Sequence, residues 1–236
     1  MHNFLFGTFP YIALAILAVG SIVRYERDPF TWKSSSSQLL RRRQLMVGSV
    51  LFHVGVLVVF FGHLIGLLTP IWVFDALGIS HGFKQVMAVL VGGVAGAAAL
   101  VGAAMLLHRR LYDARIRATS SFADNAVLAM LAAQLALGLL TVTVSLGHLD
   151  GEEMTKFMAW AVGIFTFEQA ASGYIWDAHW LFKAHILLGL AIFVVFPFTR
   201  LVHMLSAPVR YLWRPGFQIV RSRRAAAPPE RAAAPA

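Results

Sequence analysis

The sequence contains no cysteine. That absence excludes structural disulfides, covalent haem attachment through a CxxCH motif, and cysteine-ligated iron–sulfur clusters within this chain. Charge is scarce as well. Asp, Glu, Lys and Arg together make up 13% of the 236 residues, about half the share of an ordinary soluble domain. The charge that is present is lopsided, 20 basic against 11 acidic residues for a net +9. The basic residues gather in particular loops, so the excess is loop charge and does not point to nucleic-acid binding. Apolar residues fill the rest, at 58% of the chain and a mean hydropathy of +0.70.

Those apolar residues fall into runs of about 20, the length that crosses a bilayer as a helix. Because backbone polar groups must be satisfied internally in lipid, the fold class is an all-α integral membrane bundle. Five spans are expected, at Phe4–Val23, Val47–Leu68, Val86–Leu107, Ala123–Leu146 and Trp180–Leu205. The first run opens on Met1-His2-Asn3, without Lys or Arg, and ends in Arg24-Tyr25-Glu26-Arg27. It reads as a retained span and not as a cleaved signal peptide. Met154–Phe167 is apolar but only 14 residues long, which suits an interfacial or re-entrant helix. Residues 1–224 form one membrane domain, and 225–236 form an Ala/Pro-rich tail expected to be disordered.

Seventeen of the twenty Lys and Arg residues lie in the loop from Arg24 to Met46, the third-to-fourth connection and the C-terminal end. The opposite side carries Lys84, Lys156 and Lys183. The positive-inside rule then places the N-terminus outside and the C-terminus in the cytoplasm.

Four histidines lie inside the spans, His53 and His63 on the second, His185 and His203 on the fifth. Ionisable residues at membrane depth are costly and mark functional sites. The two spans run in opposite directions, so depth alone pairs His63 with His185 outside and His53 with His203 inside. On ideal helices the ten-residue separation rises about 15 Å and the eighteen-residue one about 27 Å. Eighteen residues is also five whole turns, which puts His185 and His203 on one face. Tilt and Pro197 must absorb the mismatch.

Two imidazoles per site leave zinc under-coordinated, whereas a porphyrin supplies four equatorial nitrogens and needs two axial ones. No carboxylate lies beside any of the four histidines. Gly55, Gly62, Gly66 and Gly189, with Gly92, Gly93 and Gly96, leave room for a flat macrocycle and equally suit plain helix packing. The chemistry expected is two non-covalent, bis-histidine b haems carrying electrons across a membrane. The competing reading of any one histidine is a hydrogen-bonded bundle residue. His2, His81, His108, His148 and His179 read as surface residues.

The segments LFHVGVLVVFFGHLIGLLTP (Leu51–Pro70), RYERDPFTWKSSSSQLL (Arg24–Leu40), HRRLYDARIRAT (His108–Thr119) and FKAHILLGLAIFVVFPFTRLVHMLSAPVRYL (Phe182–Leu212) resemble the gamma subunit of respiratory nitrate reductase. The likeness extends to about Arg224. It implies a diheme cytochrome b of the bacterial cytoplasmic (inner) membrane. The outer haem would take His63 and His185, and the inner haem His53 and His203. Quinol would be oxidised near the outer haem. Electrons would pass to a cytoplasmic iron–sulfur beta subunit and then to a molybdenum-bearing alpha subunit that reduces nitrate. The cysteine-free chain leaves both of those centres to partners.

The same resemblance matches Lys84 to a lysine of the quinol site, and Gly62 beside His63 would leave room for the quinone ring. An interfacial anchoring role is the alternative for Lys84. Arg109, Arg110, Arg115, Arg117 and Arg200 are candidates to pair with inner-haem propionates, or are plain positive-inside residues. Two other functions compete: a related diheme anchor serving a different soluble reductase, and a transporter with pathway histidines.

Overall fold

The computed structural model describes residues 1–32 and 40–206, and those residues carry helices and no strand. Five helices are long and apolar enough to cross a membrane: Phe4–Arg27, Arg42–Leu68, His81–Tyr112, Phe122–Ser145 and Trp180–Phe198. The all-α, five-span expectation holds. The expected tail at 225–236 and the arginines from Arg210 onward lie outside the described residues.

Several helices run past the apolar windows because polar caps, not hydropathy, end them. The third begins at His81, where Ser80 Oγ accepts the Phe83 N–H. It stops at Tyr112 because Asp113 turns extended and caps the short helix Ala114–Thr119. The fourth opens on a reciprocal capping box between Ser121 and Asp124. The fifth departs most from expectation. Its α-helix ends at Val195, the chain tightens to 3-10 geometry at Phe196–Phe198, extends at Thr199, and resumes as 3-10 helix over Arg200–Ser206. Pro197 has no N–H to give the ladder, and its ring crowds the preceding turn. His185 and His203 therefore do not share one straight helix, and the shared-face argument for them does not apply.

The second span packs along the third, the third on the fourth, the fourth on the fifth, and the fifth on the first. The tightest contact is between the second and third. A Cβ on Gly55 would lie 2.5 Å from the Ala95 carbonyl, and one on Gly102 would lie 2.4 Å from the Phe52 nitrogen. Glycine and alanine let the backbones approach, the usual basis of helix pairing in membranes.

One end of the bundle is capped by the helices Ile71–Ala76 and Glu152–Phe165. The latter is the helix expected near Met154–Phe167. At 14 residues it spans about 21 Å, short of a bilayer's hydrocarbon core of about 30 Å. Its Phe157, Trp160, Ala161 and Ile164 bury against Phe6, Ala171, Ile175 and Ala178. Trp160 Nε1 donates to the Phe6 carbonyl (2.8 Å), inside the π-helical opening turn Phe4–Thr8. Lys156 bridges Glu153 and Asp177 at 2.8 Å each. Those two hydrogen bonds raise the Lys156 pKa, and the Lys156 hydrogen bond lowers that of Asp177. At the opposite end Val127, Ile192, Phe196, Leu201 and Val202 form a second core.

Candidate functional site

The second and fifth spans are not packed backbone to backbone, yet their histidines face one another across the space between them. The His53 and His203 ring centroids are 6.4 Å apart, and those of His63 and His185 are 6.1 Å apart. The structure thus brings together the two pairs expected from depth. A metal–nitrogen bond of about 2.0 Å on each side, plus the imidazole half-width, places two axial imidazoles of one metal roughly 6 Å apart between centroids. Both pairs have that spacing.

Three of the four rings are fixed in the tautomer that ligation needs. His53 Nδ1 contacts the Ser49 carbonyl at 2.7 Å, His63 Nδ1 the Val59 carbonyl at 2.8 Å, and His203 Nδ1 the Arg200 carbonyl. A carbonyl oxygen only accepts, so each Nδ1 carries a proton and Nε2 is the nitrogen left to ligate. That is the arrangement usual for metal-ligating histidine. His185 differs. Its buried Nδ1 has no partner, and neither has the buried Oε1 of Gln134 beside it. The Gln134 amide nitrogen lies 3.3 Å from His185 Nε2 and donates to the His185 carbonyl at 3.0 Å.

His53 and His63 are exposed despite their apolar spans, and a Cβ on Gly62, Gly66, Gly92 or Gly93 would meet nothing within 4 Å. Gly55 and Gly96 are packing positions instead, against Ala95 and Ala99 and against Leu139. Gly138, which no motif singled out, leaves room for the His185 ring. A Cβ there would lie 3.0 Å from His185 Cε1. Among the described residues no three His, Asp or Glu side chains cluster as a metal site, so each pair offers two protein ligands only.

A family model described as nitrate reductase gamma subunit matches residues 2–223. The chain belongs to the nitrate reductase gamma subunit family. It is 43% identical over 223 residues to the respiratory nitrate reductase 1 gamma chain of Escherichia coli K12, covering 94% of this chain and 98% of that one. It is 44% identical over 224 residues to the respiratory nitrate reductase 2 gamma chain of the same strain, covering 95% and 98%. It is 40% identical over 210 residues to the nitrate reductase gamma chain of Bacillus subtilis 168, covering 89% and 94%.

In this gamma-family protein the three lysines of the capped end have different surroundings. Lys156 is held by two carboxylates and Lys183 donates to the Trp176 carbonyl at 2.6 Å. The Lys84 ammonium instead meets the Met158 sulfur at 2.9 Å and lies 3.5 Å above the Phe74 ring. Both are soft, weak partners for a cation with three donors. Phe74, Asp75 and Met158 lie on the capping helices, Asp75 pairing with His81 at the start of the third span (2.9 Å), and the sequence alone did not associate them with Lys84.

The arginine candidates separate too. Arg200 pairs with Asp124 at 2.7 Å, and the buried Arg109 donates to the Leu40 carbonyl. Arg115 and Arg117 are exposed. Arg110 keeps a buried Nη1 without a hydrogen-bond partner.

Proposed function

We propose that this chain is the membrane cytochrome b subunit of a nitrate reductase complex, holding one b haem between His53 and His203 and another between His63 and His185. The observation that carries the reading is the pair of facing imidazoles at each end, 6.4 and 6.1 Å between centroids. The donor set fits the group. There are two imidazoles per site, three of them with Nδ1 on a backbone carbonyl and Nε2 left to ligate. Bound haem supplies the one-electron carriers that an all-hydrocarbon interior lacks.

At the capped end Lys84 is the group suited to a quinol. A quinone oxygen is a better acceptor than the thioether and ring that Lys84 now contacts. Quinol oxidation yields two electrons and two protons. With the capped end outside, the protons leave there while negative charge moves inward. Each charge moved across 100 mV is worth about 2.3 kcal/mol. The seventeen-to-three distribution of Lys and Arg supports an N-terminus outside and a C-terminus in the cytoplasm. The basic cytoplasmic face would dock an iron–sulfur beta subunit, which passes electrons to a molybdenum-bearing alpha subunit that reduces nitrate. Arg110, whose Nη1 has no hydrogen-bond partner among the described residues, is the arginine best suited to a haem propionate.

The testing experiment is a quinol-reduced minus oxidised spectrum of membranes carrying this chain, with haem counted per polypeptide. About two b haems per chain, reducible by quinol, are expected. Folded protein without haem would overturn the reading. Lys84→Ala is expected to slow quinol-driven haem reduction by at least about tenfold, equivalent to 1.4 kcal/mol, while both haems remain. Unchanged quinol kinetics would remove Lys84 from the site.

A further inference from the structure

We propose that Arg24 on the first span, seated by Gly20, is the positioning residue that aims His203 at His53. This rests on the haem reading above.

His203 does not sit on the fifth span's α-helix. It lies on the 3-10 segment Arg200–Ser206, beyond the break at Pro197. A break of this kind leaves carbonyls without ladder donors, and an unpaired carbonyl away from water is costly. Arg24 supplies the donors. Its Nη1 donates to the Pro197 carbonyl at 2.7 Å and to the Thr199 carbonyl at 2.8 Å. Its Nη2 and Nε bind the Thr31 carbonyl (3.0 Å) and Thr31 Oγ1 (3.3 Å), which holds the guanidinium in place.

One turn earlier on the same helix, Gly20 lets the first span approach the proline ring. A Cβ there would lie 2.9 Å from both Pro197 Cβ and Cγ. From the other side the segment is held by Arg200 Nε on Asp124 (2.7 Å) and by buried Leu201 and Val202. The His203 ring itself is tied to the Arg200 carbonyl. A shift of the backbone at Thr199 therefore reaches the ring within four residues. Only a planar guanidinium, with several donors in one fork, spans two carbonyls and Thr31 together. A lysine ammonium is a single point charge. If Arg24 were simply a positive-inside charge, lysine would replace it without consequence.

The test uses the full chain in membranes with its partner subunits, comparing Arg24→Lys, Arg24→Gln and Gly20→Val with the parent. The readouts are haem per chain, the low-spin ferric signal of each haem, and the two midpoint potentials. The expected result is an altered or lost inner-haem signal in all three variants, with haem falling from two towards one per chain. The outer haem keeps its spectrum and its reduction by quinol. Two unchanged haems in Arg24→Gln and Gly20→Val would overturn the proposal. So would loss of both haems together in Arg24→Lys, which would make Arg24 a general fold element. A parent chain without haem would instead overturn the reading on which the proposal rests.

Discussion

His203→Ala is expected to remove the inner haem and leave the outer one, halving the haem content per chain. Quinol would still reduce the remaining haem, but electron delivery to the cytoplasmic partner would fall below about one per cent of the parent rate, a loss of roughly 2.7 kcal/mol or more in transition-state terms. The physical basis is pairwise. His53 and His203 face one another at 6.4 Å, and neither has a third ligating neighbour among the described residues. With one axial ligand gone, nothing in the protein substitutes for it. The reciprocal variant His63→Ala should remove the outer haem and spare the inner one. Haem quantification and redox titration of the two variants check the assignment. Retention of both haems in His203→Ala would refute the pairing.

Gly102→Leu is expected to prevent accumulation of folded protein. A Cβ at residue 102 would lie 2.4 Å from the Phe52 nitrogen and 2.7 Å from the Gly48 carbonyl. Both are backbone atoms, so no side-chain rotation relieves the overlap, and the second and third spans must separate. Overpacking of a tight interface costs about 1–3 kcal/mol and occasionally more, and backbone collision lies at the upper end. Because His53 sits next to Phe52, separation would also withdraw the inner-site ligand. Val94→Leu, at an exposed side chain of the same helix, serves as the control and should accumulate normally. Membrane-fraction yield and thermal stability in detergent compare the two. Equal yield of Gly102→Leu and the control would show that the close approach is not needed.

Hydropathy made the five spans legible because a bilayer admits few solutions for the backbone. Their ends were less legible. Ser80, Asp113 and the Ser121–Asp124 box terminate helices through local hydrogen bonds that a hydropathy window does not register. The histidine pairs were legible because depth in an antiparallel pair follows from position along the chain. Azimuth was not. The eighteen-residue spacing put His185 and His203 on one face, with a kink at Pro197 to blur the phase, whereas Pro197 ends the α-helix outright and the chain turns before His203.

Lys84 was visible as a lone cation on a lysine-poor side. What distinguishes it from Lys156 and Lys183 is its set of partners, Met158 and Phe74, which are 74 and 10 residues away. Arg24 was visible only as loop charge, since the Pro197 and Thr199 carbonyls it binds lie more than 170 residues on.

The sequence by itself therefore determined the solvent in which this protein folds, the number of spans, and which histidines meet at which depth. These follow from apolar run length and chain direction, both one-dimensional quantities. The tertiary structure alone decided how the imidazoles are aimed, which carbonyls fix their tautomers, which lysine lacks an oxygen partner, and what holds the broken fifth helix. Those depend on side-chain directions and backbone approaches between segments far apart in the chain, where a hydrogen bond is made or lost within a few tenths of an ångström.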